Sequence, residues 1–168
     1  QRLGLKPQED EFILMGMAAW GTQDDDLQSI MYNDFFGFDE DLKIRKNLHK
    51  GCMDYEPSIY PDNGTEQWKF DIAANVQTIC EWQIQKVFKK AKELVPETDN
   101  MCYSGGVALN CVANSLVVEK QYPNMWILPN PGDAGSSLGC AAYVNGKHLD
   151  FMENGAFLGY NIKGDYPV

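Results

Sequence analysis

Two glycine-rich turns constrain this chain more than any other part of it. Ser104-Gly105-Gly106-Val107-Ala108-Leu109-Asn110 and Pro131-Gly132-Asp133-Ala134-Gly135-Ser136-Ser137-Leu138-Gly139 each follow a short apolar run and open onto a run of helical character. Glycine lets the backbone approach a ligand closely, and the unpaired N–H groups of the following helix then face it with partial positive charge. Two such turns in succession predict a site for a ligand with several phosphates.

The flanking elements follow from periodicity and punctuation. Glu9 to Trp20 reads as a short helix loosened by Gly16. Residues 22–70 mix acids, aromatics, Gly and Pro and read as an irregular insertion, with a helical turn or two over Leu27 to Phe36 and short strands within Phe38 to Tyr60. The clearest helix spans 71–95, capped by Asp71 and ended by Pro96. Its apolar stripe is Ile72, Val76, Ile79, Cys80, Ile84, Val87, Phe88, Ala91 and Leu94, with Gln77, Glu81, Gln85 and lysines as polar cover. Asn100 to Tyr103 and Met125 to Leu128 read as strands, each followed by a glycine turn. Helices follow over Ala108 to Gln121 and Ala134 to Val144, the latter stopped by Asn145-Gly146. This order predicts an α/β fold, a mostly parallel sheet with flanking helices.

Charge narrows the function. The chain of 168 residues carries a net charge of −10, which excludes a general nucleic-acid or anionic-membrane binder. Local backbone N–H groups can still grip a nucleotide. Glu9-Asp10-Glu11 and Asp24-Asp25-Asp26 read as solvated surface. No apolar run approaches a membrane span. The five cysteines are odd in number and irregular in spacing, with Cys80, Cys111 and Cys140 in apolar stretches; buried free thiols and a cytoplasmic location are the expectation. His49 and His148 are too far apart in sequence to indicate a metal pair, and the four tryptophans read as packing.

Each turn has two readings. The Gly105 turn is either a tight strand-to-helix connection or a ligand cradle. Asn110 and Asn114, four apart on one helix face, either bond neighbouring loops or meet a ribose, base or phosphate. Asp133 either caps the third helix beside Ser136 and Ser137, or holds a metal ion bridged to phosphates.

Taken together, several segments resemble the carbamoyltransferase family, the O-carbamoylating enzymes of nodulation-factor and antibiotic biosynthesis. They are Leu3-Gly4-Leu5-Lys6-Pro7 with Glu9-Asp10-Glu11; Leu14-Met15-Gly16-Met17-Ala18-Ala19-Trp20-Gly21; Asp71-Ile72-Ala73-Ala74-Asn75-Val76-Gln77; Gly105-Gly106-Val107-Ala108-Leu109-Asn110-Cys111-Val112-Ala113-Asn114; and Gly132-Asp133-Ala134-Gly135 with Leu138-Gly139. The resemblance runs over most of residues 3–145 and is thin over 22–70. It implies part of the second lobe of an actin-like, sugar-kinase-like ATPase domain over residues 1–150, with 151–168 as a linker toward a C-terminal domain.

The resemblance also implies chemistry. ATP and carbamoyl phosphate would give a carbamoyl-adenylate, and the carbamoyl group would pass to a hydroxyl of a small acceptor. Nucleotide contacts would fall at Gly105, Gly106, Val107, Asn110, Asn114, Met15, Gly16, Gly132 and Gly135. Asp133 would be a metal ligand, with iron, magnesium and manganese all open. Nothing here matches the family's H-x-x-x-H histidine pair. The expectation is therefore an excised piece, inactive alone, whose partners are a first lobe and a C-terminal domain of the same protein. Apolar surface exposed by their absence would drive the piece to self-associate, a homodimer that is an artefact of the cutting. A sugar- or acetate-kinase type phosphotransferase of the same fold, or a non-catalytic interaction domain, are the alternatives.

Overall fold

The computed structural model describes residues 3–33, 42–43 and 63–146. The strands expected within Phe38 to Tyr60, both histidines and residues 151–168 lie outside the described residues. The chain divides into two compact units, Gln1–Asp99 with Asn110–Pro123, and Asn100–Leu109 with Asn124–Val168. The first is helical. The second holds both glycine turns.

Helix α3, Glu66–Leu94, is the spine of the first unit. It starts a turn earlier than its periodicity predicts. Thr65 caps it, its hydroxyl accepting from the Trp68 N–H at 3.2 Å, and Asn63 in turn holds Thr65. Asp71 caps nothing; it accepts from the Thr22 N–H at 2.8 Å and from Gln67. The apolar stripe holds in the middle, where Ile79, Ile84 and Phe88 are buried, and lapses at the end, where Leu94 is exposed. Ala73 and Ala74 are buried, and the chain at Gly21 lies directly on α3: a Cβ on Gly21 would sit 1.9 Å from the Phe70 carbonyl oxygen and 2.8 Å from the Ala74 Cβ.

Short helices α1 (Glu11–Met17) and α2 (Asp25–Met31) belong to the same unit. The Asp24-Asp25-Asp26 cluster starts α2. Asp24 accepts from the Leu27 N–H at 2.9 Å, and the next two acids suit the positive end of the helix. Helix α4 (Cys111–Gln121) is joined to the body through buried Ala113 and Tyr122. The Tyr122 ring meets Phe88 edge-on at 6.0 Å, and Lys92 sits 5.4 Å from the Tyr122 centroid.

In the second unit, β1 (Asn100–Tyr103) and β2 (Asn124–Ile127) pair in parallel, from Asn100 opposite Asn124 to Tyr103 opposite Ile127. The expected α/β character and parallel pairing are both present. Helix α5 (Ser136–Asn145) ends where predicted: Gly146 takes the left-handed conformation, φ 62°, and its N–H bonds Ala142. No residue of α5 is buried. Among the described residues no helix is long and apolar enough to cross a membrane.

Candidate functional site

Both turns lie at the carboxyl ends of the parallel strands, the place where open α/β sheets take their ligands. They touch. The Gly105 N–H donates to the Pro131 carbonyl at 2.8 Å, and the Ser104 hydroxyl donates to the same oxygen at 3.4 Å. Gly105 has φ +102°, which a side chain would strain, so its glycine serves the turn itself. Each turn then enters one round of 3-10 helix, Gly106–Leu109 and Asp133–Gly135. Their first internal bonds are Ala108 N–H to Gly105 and Gly135 N–H to Gly132. The N–H groups of Gly106, Val107, Asp133 and Ala134 therefore have no acceptor within their own turns.

The glycines divide by what they do for the fold. A Cβ on Gly135 would lie 1.9 Å from the Asn130 carbonyl oxygen, so packing requires that glycine. A Cβ on Gly132 would have nothing closer than 3.8 Å, and its nearest neighbour is the Gly106 Cα. Gly106 has open space at its Cβ position and lies outside the left-handed region. Neither sterics nor backbone conformation accounts for glycine at 106.

The polar candidates fare differently. Asp133 is exposed and makes no cap bond; the N-cap of α5 is Gly135, without a side-chain bond, and Ser137 donates back to Ala134. The capping reading of Asp133 fails because the aspartate sits inside the 3-10 turn rather than before the helix. Among the described residues no three His, Cys, Asp or Glu side chains gather to hold a metal. Asp133 by itself does not make a metal site.

Asn110 lies before α4, not inside it. Its Oδ1 accepts from the Ala113 N–H at 3.0 Å, the bond of an N-cap. It also pairs with Gln77 of α3 in both directions, at 2.9 and 3.2 Å. Gln77 was legible only as polar cover; its one signal was a half-polar position amid the α3 stripe. Asn114 is half-buried on α4. In the helical unit, Met15 is half-buried on α1, and Gly16 beside it has open space around it.

Residues 1–142 match the family described as carbamoyltransferase N-terminus. The chain belongs to the carbamoyltransferase family. That match takes in both glycine turns. An uncharacterized protein of Synechocystis sp. is 30% identical over 161 residues, covering 87% of this chain and 26% of that protein. An uncharacterized protein of Methanocaldococcus jannaschii is 29% identical over 174 residues, covering 97% of this chain and 31% of that protein. The chain thus spans about a quarter to a third of the length of these relatives.

The cysteines of this carbamoyltransferase-family chain correct an expectation. Cys111 and Cys140 are exposed, as is Cys102, and Cys80 is half-buried; Cys52 lies outside the described residues. Helix α5 leaves its apolar side uncovered within its unit, which is why Cys140 is open. Burial, with a smaller push from the Glu81 carboxylate, raises the Cys80 thiol above its ordinary 9.0. Because the folded value lies above the unfolded one, the stability Cys80 contributes is intact below pH 9.0 and lost as pH rises through the folded value. Iodoacetamide at mildly alkaline pH is expected to modify Cys102, Cys111 and Cys140 before Cys80. Timed peptide mapping checks this; Cys80 reacting first would contradict the described burial.

Proposed function

We propose that this chain carries part of the ATP site of an O-carbamoyltransferase, within a longer polypeptide like those of its relatives. In this reading, ATP, carbamoyl phosphate and water give carbamoyl-adenylate, pyrophosphate and phosphate. A hydroxyl of a small acceptor then takes the carbamoyl group, and AMP leaves. The observation that carries the reading is Gly106: a glycine with no steric or conformational reason to be one, at the carboxyl end of a strand, tied beside a second glycine turn. A ligand passing close to the main chain supplies the missing reason.

The chemistry assigned to these residues is binding and orientation. Main-chain N–H groups at Gly106 and Val107, and at Asp133 and Ala134, would hold anionic oxygens and stabilise charge on the departing AMP. The Asp133 carboxylate would repel phosphate unless a cation stands between them, so its part is that of one metal ligand, with the others supplied from elsewhere in the longer polypeptide.

In the full-length polypeptide, pyrophosphate release from ATP is expected to depend on carbamoyl phosphate. Gly106→Val is expected to weaken ATP at least about tenfold, a loss of about 1.4 kcal/mol in binding, with the melting temperature unchanged. Parental ATP affinity and turnover in that variant would remove the turn from the nucleotide site.

A further inference from the structure

Helix α1 and the round of 3-10 helix that continues it, Ala18–Trp20, are apolar on both sides. Leu14, Met15, Met17 and Ala18 are half-buried, and both segments pack on α3. The outward positions are Phe12, Ile13, Gly16, Ala19 and Trp20, at the spacing of one helix face, and all five are exposed. Phe12 keeps 68% of its surface in solvent and Trp20 keeps 74%. A surface helix turns polar residues outward; one that is apolar all round belongs in an interior. The helical unit covers only half of this one.

Gly16 is a second observation on the same face. A glycine inside a helix costs about 1 kcal/mol against alanine. A Cβ at 16 would meet nothing within 4 Å, and the residue lies outside the left-handed region. Neither packing within the chain nor backbone conformation accounts for it. With Ala19 it makes low ground between Phe12 and Trp20, which stand about 12 Å apart along the axis at about 1.5 Å per residue. That is the span one crossing helix occupies, and the missing side chain lets its axis come close.

We propose that this face is the docking site for a helix from the remainder of the same longer polypeptide, apolar on its docked side and carrying lysine or arginine at its flanks. Length supplies the occupant: the chain spans 26% and 31% of its two relatives, so most of such a polypeptide lies beyond it. Charge supplies the chemistry. Residues 7–33 hold six acids, Glu9-Asp10-Glu11 before the face and Asp24-Asp25-Asp26 after it, and no lysine or arginine. A second copy would set these acids against themselves, whereas a base-flanked helix meets them with opposite charge. A nucleotide does not suit the face. Its side chains carry no charge and only the Trp20 indole N–H as a polar group, and the flanking acids repel phosphate. The inference rests on the longer polypeptide of the reading above and not on its ATP site.

The test places the photo-crosslinking amino acid p-benzoylphenylalanine at Phe12 or, separately, at Trp20 in the full-length polypeptide. Leu94, 71% exposed at the far end of α3, is the control position. Illumination of dilute protein and peptide mapping are expected to join 12 and 20 to one apolar, base-flanked segment outside residues 1–168, within a single molecule. The yield should be the same with saturating ATP, and Leu94 should not reach that segment. Adding Gly16→Leu fills the low ground and is expected to cut both yields at least about tenfold. Absence of adducts from 12 and 20, adducts between two copies, or adducts confined to residues 1–168 each overturn the proposal. So does capture of the same segment from Leu94, or an unchanged yield in Gly16→Leu. Yields suppressed by ATP would make the face a ligand site and overturn it as well. Gly106→Val tests the ATP reading separately: parental affinity there leaves the cross-links expected as before, and missing cross-links leave ATP binding at the turns untouched.

Discussion

Asn75→Ala is expected to cost about 3 kcal/mol of folding free energy, read as a lower urea midpoint at unchanged slope. Asn75 is fully buried, and both its amide hydrogens and its carboxamide oxygen are bonded. Nδ2 donates to the Thr22 carbonyl at 3.1 Å and to the Asp71 carbonyl at 2.8 Å, and Oδ1 accepts from the Asp24 N–H at 2.9 Å. The side chain therefore pins the segment 22–24 to the middle of α3, beside the Gly21 contact with Phe70. Three net hydrogen bonds at about 1 kcal/mol each account for most of the loss, and the vacated space adds to it. Asn75→Asp is the sharper variant. One oxygen keeps the Asp24 N–H, while the other faces two carbonyl oxygens in a buried place. It is expected to lose more than the alanine variant near neutral pH. Its deficit should shrink as pH falls and the carboxyl gains a proton to donate, since a raised folded-state value favours the protonated form. An Asn75→Asp variant more stable than Asn75→Ala at neutral pH would contradict the described bonding.

Asn75 also shows where sequence reading runs out. In a helical stripe it looks like a polar residue between Ala74 and Val76, and nothing local says it is buried. Its partners at 22 and 24 lie about fifty positions away. The same distance hides the role of Asp71, which resembles a helix cap but serves Thr22, while Thr65, inside an apparently irregular stretch, is the real cap. Local patterns did carry the long helix, both strands and the Gly146 stop, because each is decided by neighbours within a turn; the parallel pairing followed from the strand–helix–strand order. The candidate site was legible as two glycine turns. That they meet through Pro131 was not, nor that Asn110 stands before its helix and pairs with Gln77. Those are contacts between segments, and spacing says nothing of them.

Gly135→Ala is expected to be as damaging as Asn75→Ala, about 3 kcal/mol or more, for a different reason. The added methyl would meet the Asn130 carbonyl oxygen at 1.9 Å and its carbon at 3.1 Å, with Leu128 Cδ2 at 3.6 Å behind them. The first two are backbone atoms, so no rotamer change relieves the clash. The segment 128–131 has to move, and the Pro131 carbonyl that ties the two turns moves with it. Stability and ATP affinity should therefore fall together at 135. At 106 the two should separate: Gly106→Ala meets no atom within 4 Å and should hold or slightly raise stability, by up to about 1 kcal/mol, as loss of glycine freedom in the unfolded chain predicts. Paired melting and ATP-binding measurements on both variants distinguish a glycine kept for packing from one kept for a ligand. If Gly106→Ala proves as unstable as Gly135→Ala, the open space at 106 is filled in the folded protein, and Gly106 loses its claim as the point of ligand approach.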